Sequence, residues 1–356
     1  MLSKKGETLL LLVRVGLWEM VNDSHKLFCC VDWMKVYDMA EKQGVVGLVT
    51  AAIDRLNANV PLEAKLQFVG NALKTEQRNK EMNAFIADVV TRMREKGINT
   101  LLVKGQGVAQ CYEKPLWRPS GDVDFLLDKE NYRKAIDFLR PLSSDSKREE
   151  NYSSHLGLNV DSWYVEVHGS LRTGLSAKVD RVVDEVHEDT FKNHKVRVWN
   201  NGGTDVLLPA PDEDVFFVFT HFIKHFYKEG MNLRQICDWC RLLWKYRDNV
   251  DAELLQRRLR KSRLMKEWKA FAALAVEFLG MPAEAMPFYD GGSKKDDLRG
   301  KQLVEFIIEG YSGSKLKDTL SIGRIFPWKT LRYSPSIFLN VNGLKVKERL
   351  FGNRKL

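Results

Sequence analysis

Hydrophobic positions recur at three- and four-residue spacing through most of the first hundred residues, the period of helices with one buried face. "DWMKVYDMAEKQGVVGLVTAAIDRL" has this texture with a break at Gly44. A longer amphipathic stretch runs from Pro61 to about Lys96, with Pro61 suited to a first helical turn. Upstream, "MLSKKGETLLLLVRVGLWEM" imitates a signal peptide, but Glu7, Arg14 and Glu19 precede, interrupt or follow its short apolar run. An amphipathic first helix is expected there. After residue 97 the texture changes. "INTLLVKG" reads as a short buried strand ending in glycine, "QGVAQCYEK" as a helix, "DVDFLLD" as a second strand and "KENYRKAIDFLRP" as an amphipathic helix closed by Pro141. Further strands are expected in "SSHLGLNVDS", "WYVEVHGSL", "VRVWNN" and "DVLLPA". Helices return from Pro211, where Asp212, Glu213 and Asp214 suit the positive end of a helix dipole. The pattern predicts an α+β protein: a helical region at 1–97, a compact α/β core at 98–209, and a helical region at 210–356 ending in a basic tail.

Composition narrows the function classes. With 356 residues, 44% of them apolar and 29% charged, the chain can bury a substantial core. No stretch reaches the roughly 20 apolar residues of a membrane-spanning helix. Five cysteines, an odd number, argue against a disulfide framework and for a reducing compartment, so a cytoplasmic location is expected. Cys237 and Cys240 form a C-x-x-C, but no second cysteine pair accompanies them. Helical spacing in "LRQICDWCRLLWKY" puts both thiols near a core face, against zinc or redox chemistry. The net charge of +9 owes much to residues 294–356, which hold 14 Lys and Arg against 6 Asp and Glu. Without an RNA-module motif or regular aromatic interleaving, solubility is a simpler reading of this basic segment than nucleic-acid binding.

The candidate chemistry lies in the central core. In "RPSGDVDFLLD", Asp122 and Asp124 point to one face of a strand while Val123, Phe125 and Leu127 occupy the other. Two neighbouring carboxylates repel, and burying either is costly unless a cation or donors compensate. Glu166 in "VEVHGSL" faces the same way as His168 on another expected strand. Mg²⁺ is typically held by one or two carboxylates plus substrate phosphates, and paired ions clamp both oxygens of an in-line displacement. Lys104-Gly105-Gln106 stands at a strand-to-helix turn able to hold phosphate, and Arg118 lies just upstream of the aspartates. His221 and His225 share one helical face, but Phe222 replaces the glutamate of a zinc-protease motif. Lys224, between them, is a candidate to reach a triphosphate, although a lone lysine on a helix is usually just solvated. Arg234 and Asp238, four residues apart, are expected to pair along one helix.

The pattern h-K-G … R-P-S-G-D-h-D-h-L followed by h-E-h-H resembles the uncharacterised nucleotidyltransferase family of the DNA polymerase beta-like superfamily. "DWMKVYDMAEKQGV", "THFIKH" and "LRQICDW" resemble it as well, so the likeness covers most of the chain. It implies a small mixed-sheet nucleotidyltransferase core and transfer of a nucleoside monophosphate from an NTP to a hydroxyl acceptor, with pyrophosphate released. On that reading Asp122 and Asp124 bind Mg²⁺ or Mn²⁺, while Glu166 binds one ion and serves as base or orients the acceptor. Lys104, Gly105, Gln106, Arg118, Ser120 and Lys224 make up the nucleotide-binding set. The superfamily's serine after the turn glycine is Gln106 here. The acceptor stays open among sugar, antibiotic, peptide and protein hydroxyls. The alternatives are a catalytically silent relative that binds nucleotide or a partner, and an RNA-modifying or RNA-binding protein using the basic C-terminus.

Overall fold

A computed structural model describes residues 2–19, 31–146, 155–228, 230–291, 293–310 and 315–333. Four helices open it: α1 (Lys4–Trp18), α2 (Trp33–Lys42), α3 (Val46–Arg55) and α4 (Leu62–Glu95). Ser3 and Asp32 cap α1 and α2 by accepting from the backbone N–H of Gly6 and Lys35. The first helix departs from the amphipathic expectation. Leu9, Leu10, Leu12, Val13, Val15, Leu17 and Trp18 are all buried, so apolar residues meet protein on nearly every side. Gly16 makes this possible, because a Cβ there would strike the Leu48 carbonyl of α3. Pro61 stands at the N-cap of α4, one position before the expected first turn.

The sheet has the strand order β1-β2-β5-β4-β3, with β1 (Leu101–Val103), β2 (Asp122–Leu126), β3 (Ser143–Ser146), β4 (His155–Val160) and β5 (Trp163–His168). β2 and β5 pair in parallel, and the other neighbours are antiparallel. The sheet is therefore small and mixed. Between β1 and β2 the expected helix shrinks to α5 (Gly105–Ala109) and a 3₁₀ turn at Pro115–Trp117. Proline biases the residue before it away from helix, so a helix running through Lys114 was disfavoured. α6 (Lys129–Leu139) follows β2, N-capped by Asp128. Its Tyr132, Ala135, Ile136 and Leu139 share a core with Val123 and Phe125 of β2, Val165 and Val167 of β5, and Met82, Ile86, Val89 and Met93 of α4.

The sheet's other face is roofed by helices. After α7 (Ala177–Lys192) and a hairpin of β6 (Val196–Asn201) and β7 (Thr204–Pro209) come α8 (Pro211–Lys228) and α9 (Leu233–Lys245). α10 (Ala252–Ser262), α11 (Met265–Glu277), α12 (Lys294–Glu305), α13 (Lys315–Ile325) and α14 (Pro327–Tyr333) complete the described chain. Phe219 and Phe222 of α8 meet Trp239 of α9, and Phe219 also meets Trp268 of α11, with ring centroids 4.8–5.7 Å apart. Such aromatic pairs add to the apolar burial that fixes the roof. The acids opening α8 do more than complement its dipole. Glu213 is buried against Arg258 at 2.8 Å, and Asp214 against Arg197 at 2.7 Å. Cys237 and Cys240 are buried and unbridged, as their helical spacing predicts. No helix among the described residues is long and apolar enough to cross a membrane. The end of the basic segment, 334–356, lies outside the described residues.

Candidate active site

Parallel pairing of β2 with β5 places Asp124 directly beside Glu166, and Asp122 beside Tyr164. With side chains alternating along each strand, Asp122, Asp124, Glu166 and His168 share the face turned away from the α4/α6 core. They line a cleft of about 630 Å³ closed by α8, α9 and the 170–174 segment. One oxygen each from Asp122, Asp124 and Glu166 lies within 4.8 Å of the other two. Three hard oxygen donors at that spacing fit Mg²⁺ or Mn²⁺, which favour carboxylates and keep positions for water and phosphate.

The electrostatics of the three acids differ. Burial pushes Asp122 above the ordinary carboxylate range and the charge of Asp124 pushes it further, with Lys104 only partly offsetting them. Asp124 is more deeply buried, which would raise it, yet it ends lowered because Lys104 and His168 both stabilise its anion. Lys104 Nζ and His168 Nε2 reach the same Asp124 oxygen, at 2.8 and 2.7 Å. Burial also works against the Glu166 anion, but the imidazoles of His155 and His168 outweigh it and hold that carboxyl well below its usual range. Both Nε2 atoms stand 3.3 Å from Glu166 Oε2. His155 is missing from the sequence reading. Its strand was legible in "SSHLGLNV", but nothing local tells which strand pairs with β5 or in what register.

The turn before the aspartates is strained. Lys104 has φ 57° and ψ −145°, and Gly105 follows with φ 38°. Non-glycine residues rarely adopt such a φ, and such strain persists only where the surroundings over-determine it. A Cβ on Gly105 would lie 3.2 Å from Ser120 Oγ, a buried hydroxyl with no hydrogen-bond partner among the described residues. Gln106 turns away from the cleft: its buried Nε2 donates to Asn79 Oδ1 at 2.7 Å. Asn79 in turn donates to the Leu116 and Arg118 carbonyls, so this side chain supports the loop before β2 instead of facing a ligand.

Arg118 also departs from its expected place. Its Nε and Nη2 grip the two oxygens of Asp238 at 2.9 and 2.7 Å, and Nη1 donates to the Pro119 carbonyl. These donors are committed to protein, not offered to phosphate. The expected helix pair of Arg234 with Asp238 gives way to this one, because Arg118 reaches across with a better bidentate geometry. Arg234 Nη1 donates to the Pro119 carbonyl at 2.6 Å instead. On α8, Lys224 lines the cleft beside His221 and His225, whose Nε2 atoms lie 3.0 Å apart. Burial and the charge of Lys104 hold His221 well below the ordinary imidazole range. The structure thus gathers Lys104, Gly105, Ser120, Asp122, Asp124, Glu166 and Lys224 around one cleft. It leaves the Gln106 side chain outside and makes Arg118 a wall.

A crystal structure of an antigenic nucleotidyltransferase-like protein from Paracoccidioides brasiliensis is similar at 12% identity, over 59% of this chain and 97% of that one. Its TM-score of 0.35 is too low to carry an argument. No curated protein matches the chain. A family model does, over residues 30–280, a span that includes every cleft residue named above. The chain belongs to that family, described as uncharacterised nucleotidyltransferase.

Proposed function

We propose that the chain is an active nucleotidyltransferase, moving a nucleoside monophosphate from an NTP to a hydroxyl acceptor and releasing pyrophosphate. The observation that carries this reading is the register of β2 on β5, which sets Asp124 beside Glu166 with Asp122 two residues away in an open cleft. Bound Mg²⁺ or Mn²⁺ would supply charge neutralisation for the triphosphate and activation of the attacking hydroxyl. Asp122, Asp124 and Glu166 are the residues to hold it. Lys104 keeps Asp124 ionised and fixed, so the carboxylate is ready for a cation without reorganisation. Ser120 and Lys224, which both line the cleft, take the phosphates. The imidazoles of His155 and His168 hold Glu166 in its anionic form, ready for a cation. Its role is to ligate metal and orient the acceptor hydroxyl.

One observation favours a second reading, a catalytically silent relative that binds nucleotide or a partner: the turn residue Gln106, expected among the phosphate-holding groups, is used up in the core. Pyrophosphate release separates the two. The purified chain is incubated with each NTP, Mg²⁺ or Mn²⁺, and panels of sugar, peptide and protein hydroxyl acceptors. Metal-dependent pyrophosphate that disappears in Asp122→Asn supports transfer. NTP binding with no pyrophosphate across the panel supports the second reading.

A further inference from the structure

The carboxylate face carries a second donor cluster, two imidazoles beside Glu166, and nucleotidyl transfer as proposed above gives neither imidazole a ligand role. His155 of β4 and His168 of β5 stand opposite one another in the antiparallel register. Their rings stack with centroids 4.7 Å apart and planes 14° apart, and both Nε2 atoms lie 3.3 Å from one oxygen of Glu166. Two features distinguish this cluster from ordinary packing. Among the described residues, the buried His155 Nε2 has only a long 3.3 Å ion-pair contact to Glu166 Oε2 and no well-formed hydrogen bond. A buried polar atom held by so poor a contact is costly, and in native proteins such an atom calls for a role. The second feature is charge. Three carboxylates converge within 4.8 Å, a crowding of like charge that is costly until cations compensate it.

We propose that His155, Glu166 and His168 form a second metal site that takes a borderline divalent ion of the Zn²⁺ class, with Glu166 shared between it and the all-oxygen pair Asp122 and Asp124. One ligand atom from each of the three lies within 4.8 Å of the others. Ligands at about 2.0–2.2 Å from a common ion stand roughly 3.0–3.5 Å apart when adjacent, which is the spacing of each imidazole nitrogen from Glu166. Imidazole selects zinc-like ions over Mg²⁺, and carboxylate alone selects Mg²⁺ or Mn²⁺. The two halves of the site therefore sort ions by ligand softness. Loading must also tilt the nearly parallel rings so that their lone pairs converge, which changes the environment of both imidazoles. This inference deepens the nucleotidyl-transfer reading and rests on it for what the ion does, but the site itself is testable without turnover.

The test is calorimetric titration of the full chain with Zn²⁺, followed by zinc X-ray absorption at one equivalent. One tight equivalent with imidazole scattering is expected. His155→Ala should weaken that equivalent at least ~10-fold, since even loss of a residue that only supports a ligand costs 10–100-fold. His221→Ala is the control for the other imidazole pair in the cleft and should leave the titration unchanged. Absence of a tight equivalent, a wild-type spectrum without imidazole, or an unchanged titration in His155→Ala would each overturn the site. Loss of binding in His221→Ala instead would overturn it as well. Should His155→Ala fail to melt cooperatively, His155→Gln replaces it, and the wild-type spectrum and stoichiometry stand independently of either variant. The underlying reading fails separately: zinc bound at His155 in a chain that NTP and Mg²⁺ never stabilise removes nucleotidyl transfer and keeps the site. NTP and Mg²⁺ stabilisation without zinc at His155 does the reverse.

Discussion

Arg118 and Asp238, 120 positions apart in sequence, meet as a buried bidentate ion pair with bonds of 2.9 and 2.7 Å, and the Tyr112 hydroxyl donates to the same carboxylate at 2.8 Å. The pair ties the loop before β2 to helix α9, joining the carboxylate strand to the roof of the cleft. Removing one partner of a buried pair leaves the other charge uncompensated, at a cost of about 3–5 kcal/mol. Arg118→Met should therefore lower the denaturation midpoint strongly in urea, and a loss under about 1 kcal/mol would contradict the structural role.

The same pair sets a pH dependence. Burial alone would raise Asp238, but Arg118, Arg234 and Tyr112 outweigh it and lower the carboxyl below its usual range. A carboxyl lowered in the folded state contributes stability that is complete above about pH 5 and is lost as pH falls through and below the ordinary value near 4. Asp238→Asn should be less stable than the wild type at pH 7 and lose less further stability between pH 5 and pH 3. Parallel stability curves for the two proteins across that range would refute this.

Nucleotide binding should depend on the metal. An NTP at about 100 times its dissociation constant should stabilise the chain by roughly 2.7 kcal/mol when Mg²⁺ or Mn²⁺ is present, and not in EDTA. Thermal shifts for the four NTPs measure this directly. Equal stabilisation in EDTA would remove metal from the binding step.

Asp122 and Asp124 should respond differently to neutralisation. In EDTA, Asp122→Asn relieves repulsion in a carboxyl that burial and Asp124 already push up, so its melting temperature should rise. Asp124→Asn breaks the contact with Lys104, whose side chain is 15% exposed, and should cost about 3 kcal/mol. Both should lower turnover by orders of magnitude. Melting curves of the metal-free proteins separate the two, and equal shifts would show that Lys104 does not hold Asp124 in solution.

Glu166→Gln should retain metal-dependent NTP binding through Asp122 and Asp124 while losing transfer. The loss should fall on kcat more than on NTP affinity, because the acceptor hydroxyl needs orientation only as the new bond forms. A drop in NTP affinity matching the drop in kcat would make Glu166 a ground-state ligand alone.

Much of this site was readable from strand alternation. Asp122 and Asp124 on one face, and Glu166 and His168 on another strand's matching face, follow from a period of two, while the turn at Gly105 follows from the glycine that ends the apolar run. What alternation does not encode is which strands are neighbours. His155 faces Glu166 only because β4 lies between β3 and β5 in a given register. The partner of Asp238 was misread for a related reason: i, i+4 spacing identifies a neighbour on the helix, while a long guanidinium from a distant loop competes for the same carboxylate. Gln106 went the same way, since a polar residue after a glycine turn gives no sign that Asn79 of α4 waits beneath it. In α1 the apolar run was plain, but its burial on nearly every side depends on helices far along the chain.

The parallel seam between β2 and β5 bears on how the molecule folds. Its two strands are separated by α6 and by the β3–β4 excursion, so Asp124 and Glu166 meet only after a loop of about forty residues has closed. Closing such a loop is an entropic barrier that local helix formation does not face, and chains rich in such contacts fold more slowly. The helices at either end can form from neighbouring residues, whereas the carboxylate face cannot exist in part. Divalent-ion binding should then appear in refolding with the last kinetic phase, after helical circular dichroism has recovered, and metal added early should leave the rate of the first phase unchanged.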